Sequence, residues 1–156
     1  MILTKSCIYA LRSSVYLAKQ DADCYVTIKE LSDELGISFY FLTKVLQQLT
    51  KQEILKSYQG PNGGVKLAKD ACEITFLDIV QSVDGSHVIS ECALGLPGCG
   101  ELDPCPLHEH WSRLKTGLKE MMGNVTIADL AARKNATEPE NNNDSPRTDQ
   151  VFFDTN

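Results

Sequence analysis

Residues 27–68 constrain the fold more tightly than any other stretch. Thr27 can accept a hydrogen bond from the Glu30 amide while the Glu30 carboxylate reaches back, a capping box that starts a helix. Ile28, Leu31 and Leu35 give this helix its apolar side, and Gly36 supplies a left-handed stop. Ser38 caps another helix almost at once, with Leu42, Val45, Leu46 and Leu49 as its core stripe. Tyr40, Thr43, Lys44 and Gln47 lie on the other side near its start, where a recognition helix meets base edges; a plain solvated face is the competing interpretation. Two strand-like runs, 54–59 and 64–68, follow directly, joined by the turn-forming Gly60-Pro61-Asn62-Gly63. Two helices about a tight turn and then a hairpin make the winged-helix plan. On that plan Ser38, Tyr40, Thr43, Lys44 and Gln47 of the helix and Lys56, Gln59, Gly60, Asn62 and Gly63 of the wing are the candidate DNA contacts. Lys56, Lys66 and Lys69 put positive charge on the wing, where a phosphate backbone would lie.

The flanking segments are also helical in pattern. Residues 4–20 carry Ile8, Leu11, Val15 and Ala18 on one face. Thr75 caps another helix, with Asp78 at its third position and Ile74 stapled to Ile79, and the apolar face of this helix is Phe76, Ile79, Val80 and Val83. A longer helix starts at Pro106, where Leu107, Trp111, Leu114, Leu118 and Met121 keep heptad spacing and suggest a dimer seam; packing on the chain's own core is the alternative. Thr126 and Asp129 cap one last short helix that ends near Lys134. The expected fold is mainly α with a small β-hairpin wing, a winged helix-turn-helix plus a long dimerisation helix. It divides into a DNA-binding domain at 1–85, a cysteine loop at 86–105, the dimerisation and C-terminal helices at 106–134, and an acidic, disordered tail at 135–156.

Net charge argues at first against nucleic acid, since the chain carries −6. The distribution reverses that. Residues 1–70 hold nine Lys/Arg against seven Asp/Glu, and the acidic excess lies beyond them. No apolar run approaches the ~20 residues that span a bilayer, and the N-terminus lacks an export signal, so a cytoplasmic, reducing location without a membrane partner is expected.

In such a compartment cysteines are kept for metal or redox chemistry rather than disulfides. Three of the six, Cys92, Cys99 and Cys105, fall in a Gly/Pro-rich loop that can be neither regular helix nor strand. Thiolates are the soft ligands that iron–sulfur clusters take, in sets of four. Cys105 stands at a helix start whose dipole favours the thiolate, His108 lies three residues on, and Gly98 and Gly100 let the backbone around Cys99 approach an inorganic core. The same donors could hold zinc, or the thiols could form a redox switch. Cys7, Cys24 and Cys72 are read as small buried or surface residues, though a dimer could bring Cys7 to the partner's cluster. His87 is read as a loop residue and His110 as a helix-surface one. A Cys/His hydrolase lacks any oxyanion site or orienting residue at a recognisable spacing, so no enzyme is expected.

With the winged helix, the wing tip at 60–64 and the three-cysteine loop in view, the chain resembles the Rrf-type bacterial transcription regulators, the group containing IscR, NsrR, RirA and CymR. Leu3-Thr4-Lys5, Tyr9-Ala10-Leu11 and Ile127-Ala128-Asp129-Leu130 match as well, so the resemblance spans residues 1–134. It implies a cytoplasmic homodimer that binds double-stranded operator DNA, as a repressor in the first instance. It also implies an iron–sulfur cluster held by Cys92, Cys99 and Cys105, 2Fe–2S in preference to 4Fe–4S. In IscR-like members a histidine shortly after the third cysteine completes the set, which points to His108. A cluster-free, CymR-like regulator sensing thiol redox state or a sulfur metabolite, and a zinc-stapled protein-interaction module, are the alternatives.

Overall fold

The computed structural model describes residues 3–61, 63–86, 92 and 105–133. In chain order these form α1 (Lys5–Ala18), α2 (Ile28–Leu35), α3 (Phe39–Lys51), β1 (Leu55–Tyr58), β2 (Gly64–Leu67), a 3-10 turn at Ala71–Glu73, α4 (Phe76–Val83), α5 (His108–Asn124) and α6 (Ile127–Ala132). The described residues are mainly helical with one antiparallel hairpin, as the sequence pattern requires.

Helix α1 is the centre, packed against α2, α3, α4, α6 and β2. Its inner face differs from the expected one. Cys7, Ala10, Leu11, Ser13, Ser14, Val15 and Leu17 are buried, while Ile8 and Ala18 stay half-exposed. Small side chains allow several elements to approach one helix closely, a constraint that a hydropathy pattern does not register. The Ser13 and Ser14 hydroxyls are buried without a hydrogen-bond partner. A buried hydroxyl left unsatisfied costs about 1–3 kcal/mol. Ser14→Ala should therefore raise the denaturation midpoint, and a fall would show that the hydroxyl does have a partner.

Helices α2 and α3 form the helix-turn-helix. Thr27 accepts from the Glu30 amide at 3.1 Å, and Gly36 closes α2 at φ +62°. Arg12 reaches from α1 to the Leu35 carbonyl at 3.2 Å, placing a cation at the C-terminal end of α2. Ser38 occupies the cap position of α3, but its hydroxyl makes no capping bond, contrary to expectation. Leu42, Val45, Leu46 and Leu49 are all buried, as their spacing demands. The hairpin pairs Leu55 with Leu67, Lys56 with Lys66, Ser57 with Val65 and Tyr58 with Gly64. Val26 extends the pairing: its N–H donates to the Val65 carbonyl at 3.0 Å and its carbonyl accepts from Val65 at 2.8 Å. The wing is thus bolted to the chain just before α2.

Capping boxes open both α4 (Thr75, Asp78) and α6 (Thr126, Asp129). The Thr126 hydroxyl and amide hold the Asp129 carboxyl below the usual carboxylate range. The two starts are joined, Phe76 N–H donating to Val125 and Ile127 N–H to Ile74, each at 2.8 Å. Helix α5 begins at His108, later than expected. Pro106 and Leu107 lie in a turn closed by the His108 amide on the Cys105 carbonyl at 2.9 Å, so Pro106 is not in the first helical turn. The heptad stripe of α5 then splits. Leu118 packs on the core beside buried Met122, and Trp111 is half-buried, whereas Leu107, Leu114 and Met121 are 53%, 61% and 54% exposed.

Candidate nucleic-acid interface and thiol site

Helix α3 and the wing face each other across a cleft of about 710 Å³. Its α3 wall carries Phe39, Thr43 and Gln47, spaced one turn apart, and continues to Thr50 and Lys51. The wing contributes Ser57, Tyr58, Gln59, Gly60, Gly63 and Gly64, and the start of α2 contributes Thr27, Ile28 and Lys29. Gln59, Gly60, Gly63, Thr43 and Gln47 therefore come together as expected, while Asn62 lies outside the described residues. Gly63 is required by close packing, since a Cβ there would stand 2.7 Å from the Tyr58 carbonyl. Tyr40, Lys44 and exposed Ser38 sit on α3 beside the cleft, not in it, and the Lys44 ammonium lies 4.4 Å from the centre of the Tyr40 ring.

The wing lysines are placed differently from expectation. Lys56, Lys66 and Lys69 line a separate depression with Leu17, Ala18 and Cys24. Lys66 is committed there, donating to the Ala22 carbonyl at 3.1 Å and pairing with Asp23 at 3.4 Å. The cations that border the α3–wing cleft are Lys29 and Lys51. Neither was singled out from sequence. Lys51 continues the 43, 47 periodicity of α3 and could have been found that way; Lys29 could not, because only the fold brings the start of α2 to the wing.

The end of α4, which precedes the cysteine-bearing stretch in the sequence, is held twice. The Gln48 amide of α3 donates to the Ser82 carbonyl at 2.9 Å and to the Val83 carbonyl at 3.3 Å. Buried Asp84 accepts from the Thr4 amide at 2.9 Å and from the Thr4 hydroxyl, at the cap of α1. Cys7 is wholly buried within its own chain, so it is not poised toward a partner's cluster.

Burial, and then the Asp84 charge and hydrogen bond, push the Cys7 thiol from 9.0 up to about 12. With the folded value above the unfolded one, its contribution to stability is complete below pH about 9 and is lost as pH rises toward about 12. Urea midpoints should fall more steeply over that window in this chain than in Cys7→Ala; parallel slopes would contradict the assignment.

Cys92 and Cys105 are half-buried; Cys24 and Cys72 are exposed. His108 is half-buried at the first position of α5, and Cys105 lies in the preceding turn instead of directly at the helix start. His110 is exposed on α5. Cys99, Gly98, Gly100 and His87 lie outside the described residues. Among the described residues no three His, Cys, Asp or Glu side chains gather to hold a metal ion. The chemistry of the donor set fits an iron–sulfur cluster: three thiols on one loop and an imidazole within a turn of the last of them.

A helix-turn-helix whose second helix and wing enclose an open cleft defines a winged-helix DNA-binding regulator. The Rrf2 family, described as an iron-dependent transcriptional regulator, matches residues 3–133, and the chain belongs to that family. It is a transcription regulator that binds DNA and not an enzyme. It is 31% identical over 150 residues to the HTH-type transcriptional regulator IscR of Yersinia enterocolitica, covering 95% of this chain and 91% of that one. It is 34% identical over 131 residues to protein aau3 of Rhizobium meliloti, covering 83% and 84%. In fold it is similar to CymR, the global cysteine regulator of B. subtilis, with a TM-score of 0.69 at 23% identity over 83% and 95% of the two chains. T. potens IscR gives 0.68 at 23% identity over 82% and 84%. None of the described helices is long and apolar enough to cross a membrane.

Proposed function

We propose that the chain is a homodimeric, cytoplasmic operator-binding repressor whose DNA affinity is set by an iron–sulfur cluster on Cys92, Cys99 and Cys105, with His108 completing the set. The α3–wing cleft receives DNA, Gln47, Gln59, Lys29 and Lys51 holding the duplex and Lys44 reaching it from beside the cleft. The exposed row Leu107, Leu114 and Met121 pairs with its copy, so that two recognition helices meet the two halves of a palindrome.

The observation that carries the regulatory part is the double tether at the root of the thiol loop. Gln48 ties residues 82 and 83 to the recognition helix, and Asp84 ties the next residue to the cap of α1. Closure of the loop on a shared centre therefore bears on α1 and α3 at one end and on α5 at the other. A bound cluster supplies a redox-active centre, and an imidazole among its ligands makes it sensitive to protons. A coupling of ~1–3 kcal/mol through these tethers changes operator occupancy several-fold to about a hundredfold. Gln48→Ala should keep the metal content and shrink the affinity difference between loaded and stripped protein; an undiminished difference would place the coupling elsewhere.

Anaerobic purification tests the site. The chain should be coloured and contain acid-labile sulfide, and Cys92→Ala, Cys99→Ala and Cys105→Ala should each remove both. A colourless chain with one zinc per protomer would sink the cluster assignment. The likeness to CymR, a cysteine regulator by name, favours one second reading, a cluster-free thiol sensor. In that case the colourless chain would contain no metal, and its DNA affinity would follow oxidant and thiol instead of iron and sulfide.

A further inference from the structure

The start of α3 exposes more apolar surface than a solvated helix should. Phe39 is 54% exposed and lines the cleft one turn from Thr43. The Thr43 hydroxyl donates to the Phe39 carbonyl at 2.7 Å, so its proton is committed within the helix. What Thr43 brings to a base edge is then its methyl group and an oxygen that can only accept. Phe39 and Thr43 form an apolar step on α3, separate from the polar pair in which Lys44 lies over Tyr40. Among the base edges of the major groove only thymine offers an apolar group, its C5-methyl. A ring and a methyl one turn apart, at the end of a recognition helix that meets base edges, are complementary to that group.

We infer that Phe39 and Thr43 read the C5-methyl of a thymine in each operator half-site, making the first turn of α3 a determinant of T·A at that position. The inference rests on α3 being the helix that enters the major groove. The neighbouring positions fall to Lys44 and Gln47, whose hydrogen-bonding groups suit guanine and adenine edges.

The test uses the full chain, purified anaerobically, and a duplex that it enriches from a random-sequence pool. Each thymine is replaced in turn by deoxyuridine, which lacks only the methyl group. Binding should weaken about four-fold at one thymine per half-site, the effect of one buried methyl. Phe39→Ala should bind the thymine and uridine duplexes alike, and Phe39→Leu, which keeps an apolar surface, should retain the difference. Lys44→Ala should weaken both duplexes equally. Equal affinity for thymine and uridine at every position overturns the inference, as does a penalty that persists undiminished in Phe39→Ala. A pool from which no sequence is enriched would overturn the assignment of α3 itself, and that outcome is distinct from an enriched duplex indifferent to uridine.

Discussion

Gly64→Ala should destabilise the chain by about 3 kcal/mol or more and abolish operator binding. A Cβ at this position would stand 2.2 Å from the Val26 carbonyl oxygen and 2.6 Å from its carbon. Both obstacles are backbone, so no rotamer change relieves them. Either β2 moves away or Val26 does, and each movement breaks the two hydrogen bonds between Val26 and Val65. Val26 and Val65 are 4% and 3% exposed, so the groups released are left without water as well as without each other. Because this joint sets the angle between the wing and α2, the cleft loses its shape even in molecules that stay folded. Gly123→Ala is the control: its Cβ would meet only Leu77 Cδ2, at 3.8 Å, and the helical context favours alanine by about 0.5–1 kcal/mol. Thermal melts of the two variants should move in opposite directions. A Gly64→Ala protein that melts like the parent would mean that the wing is not fixed through Val26.

Leu114→Arg should dissociate the proposed dimer and carry operator affinity down with it. Leu114 is the most exposed of the row 107, 114, 121, at 61%. In a two-fold seam each residue counts twice, and burying one leucine is worth about 1.5–3 kcal/mol. Losing both copies, and placing two like charges in contact, should raise the dimer dissociation constant about a hundredfold or more. Sedimentation equilibrium at micromolar protein would then show monomer. Leu118→Arg is the contrasting variant: it should unfold the chain, because Leu118 packs against its own core. A Leu114→Arg protein that remains dimeric would move the seam off α5.

Much of this architecture is legible in the residues. The stripe 42, 45, 46, 49 buries as its period requires, and three capping boxes or caps fall where Thr27, Thr75 and Thr126 put them. The hairpin follows from the turn at 60–63 between strand-forming runs. What sequence does not convey is anything held by distant partners. Asp84 and Thr4 are eighty positions apart, and Gln48 finds Ser82 across thirty-four. Lys66 looks like a phosphate contact until the loop at 22–23 folds beside it and takes its charge. The inner face of α1 was obscured for another reason: crowding favours Cys7, Ala10, Ser13 and Ser14 there, and hydropathy favours the larger Ile8. Pro106 signals a helix start, yet the turn from Cys105 to His108 absorbs it first.

Of the proposed site, the donor set is written in the sequence, and its connection to the reading head is not. The proposed connection runs through Gln48 and the Asp84–Thr4 clamp. The most direct measurement is the affinity of one selected operator duplex for the same protein before and after anaerobic removal of its iron and sulfide. The affinity should change at least several-fold and return when iron and sulfide are restored. Equal affinity in both states would contradict the connection.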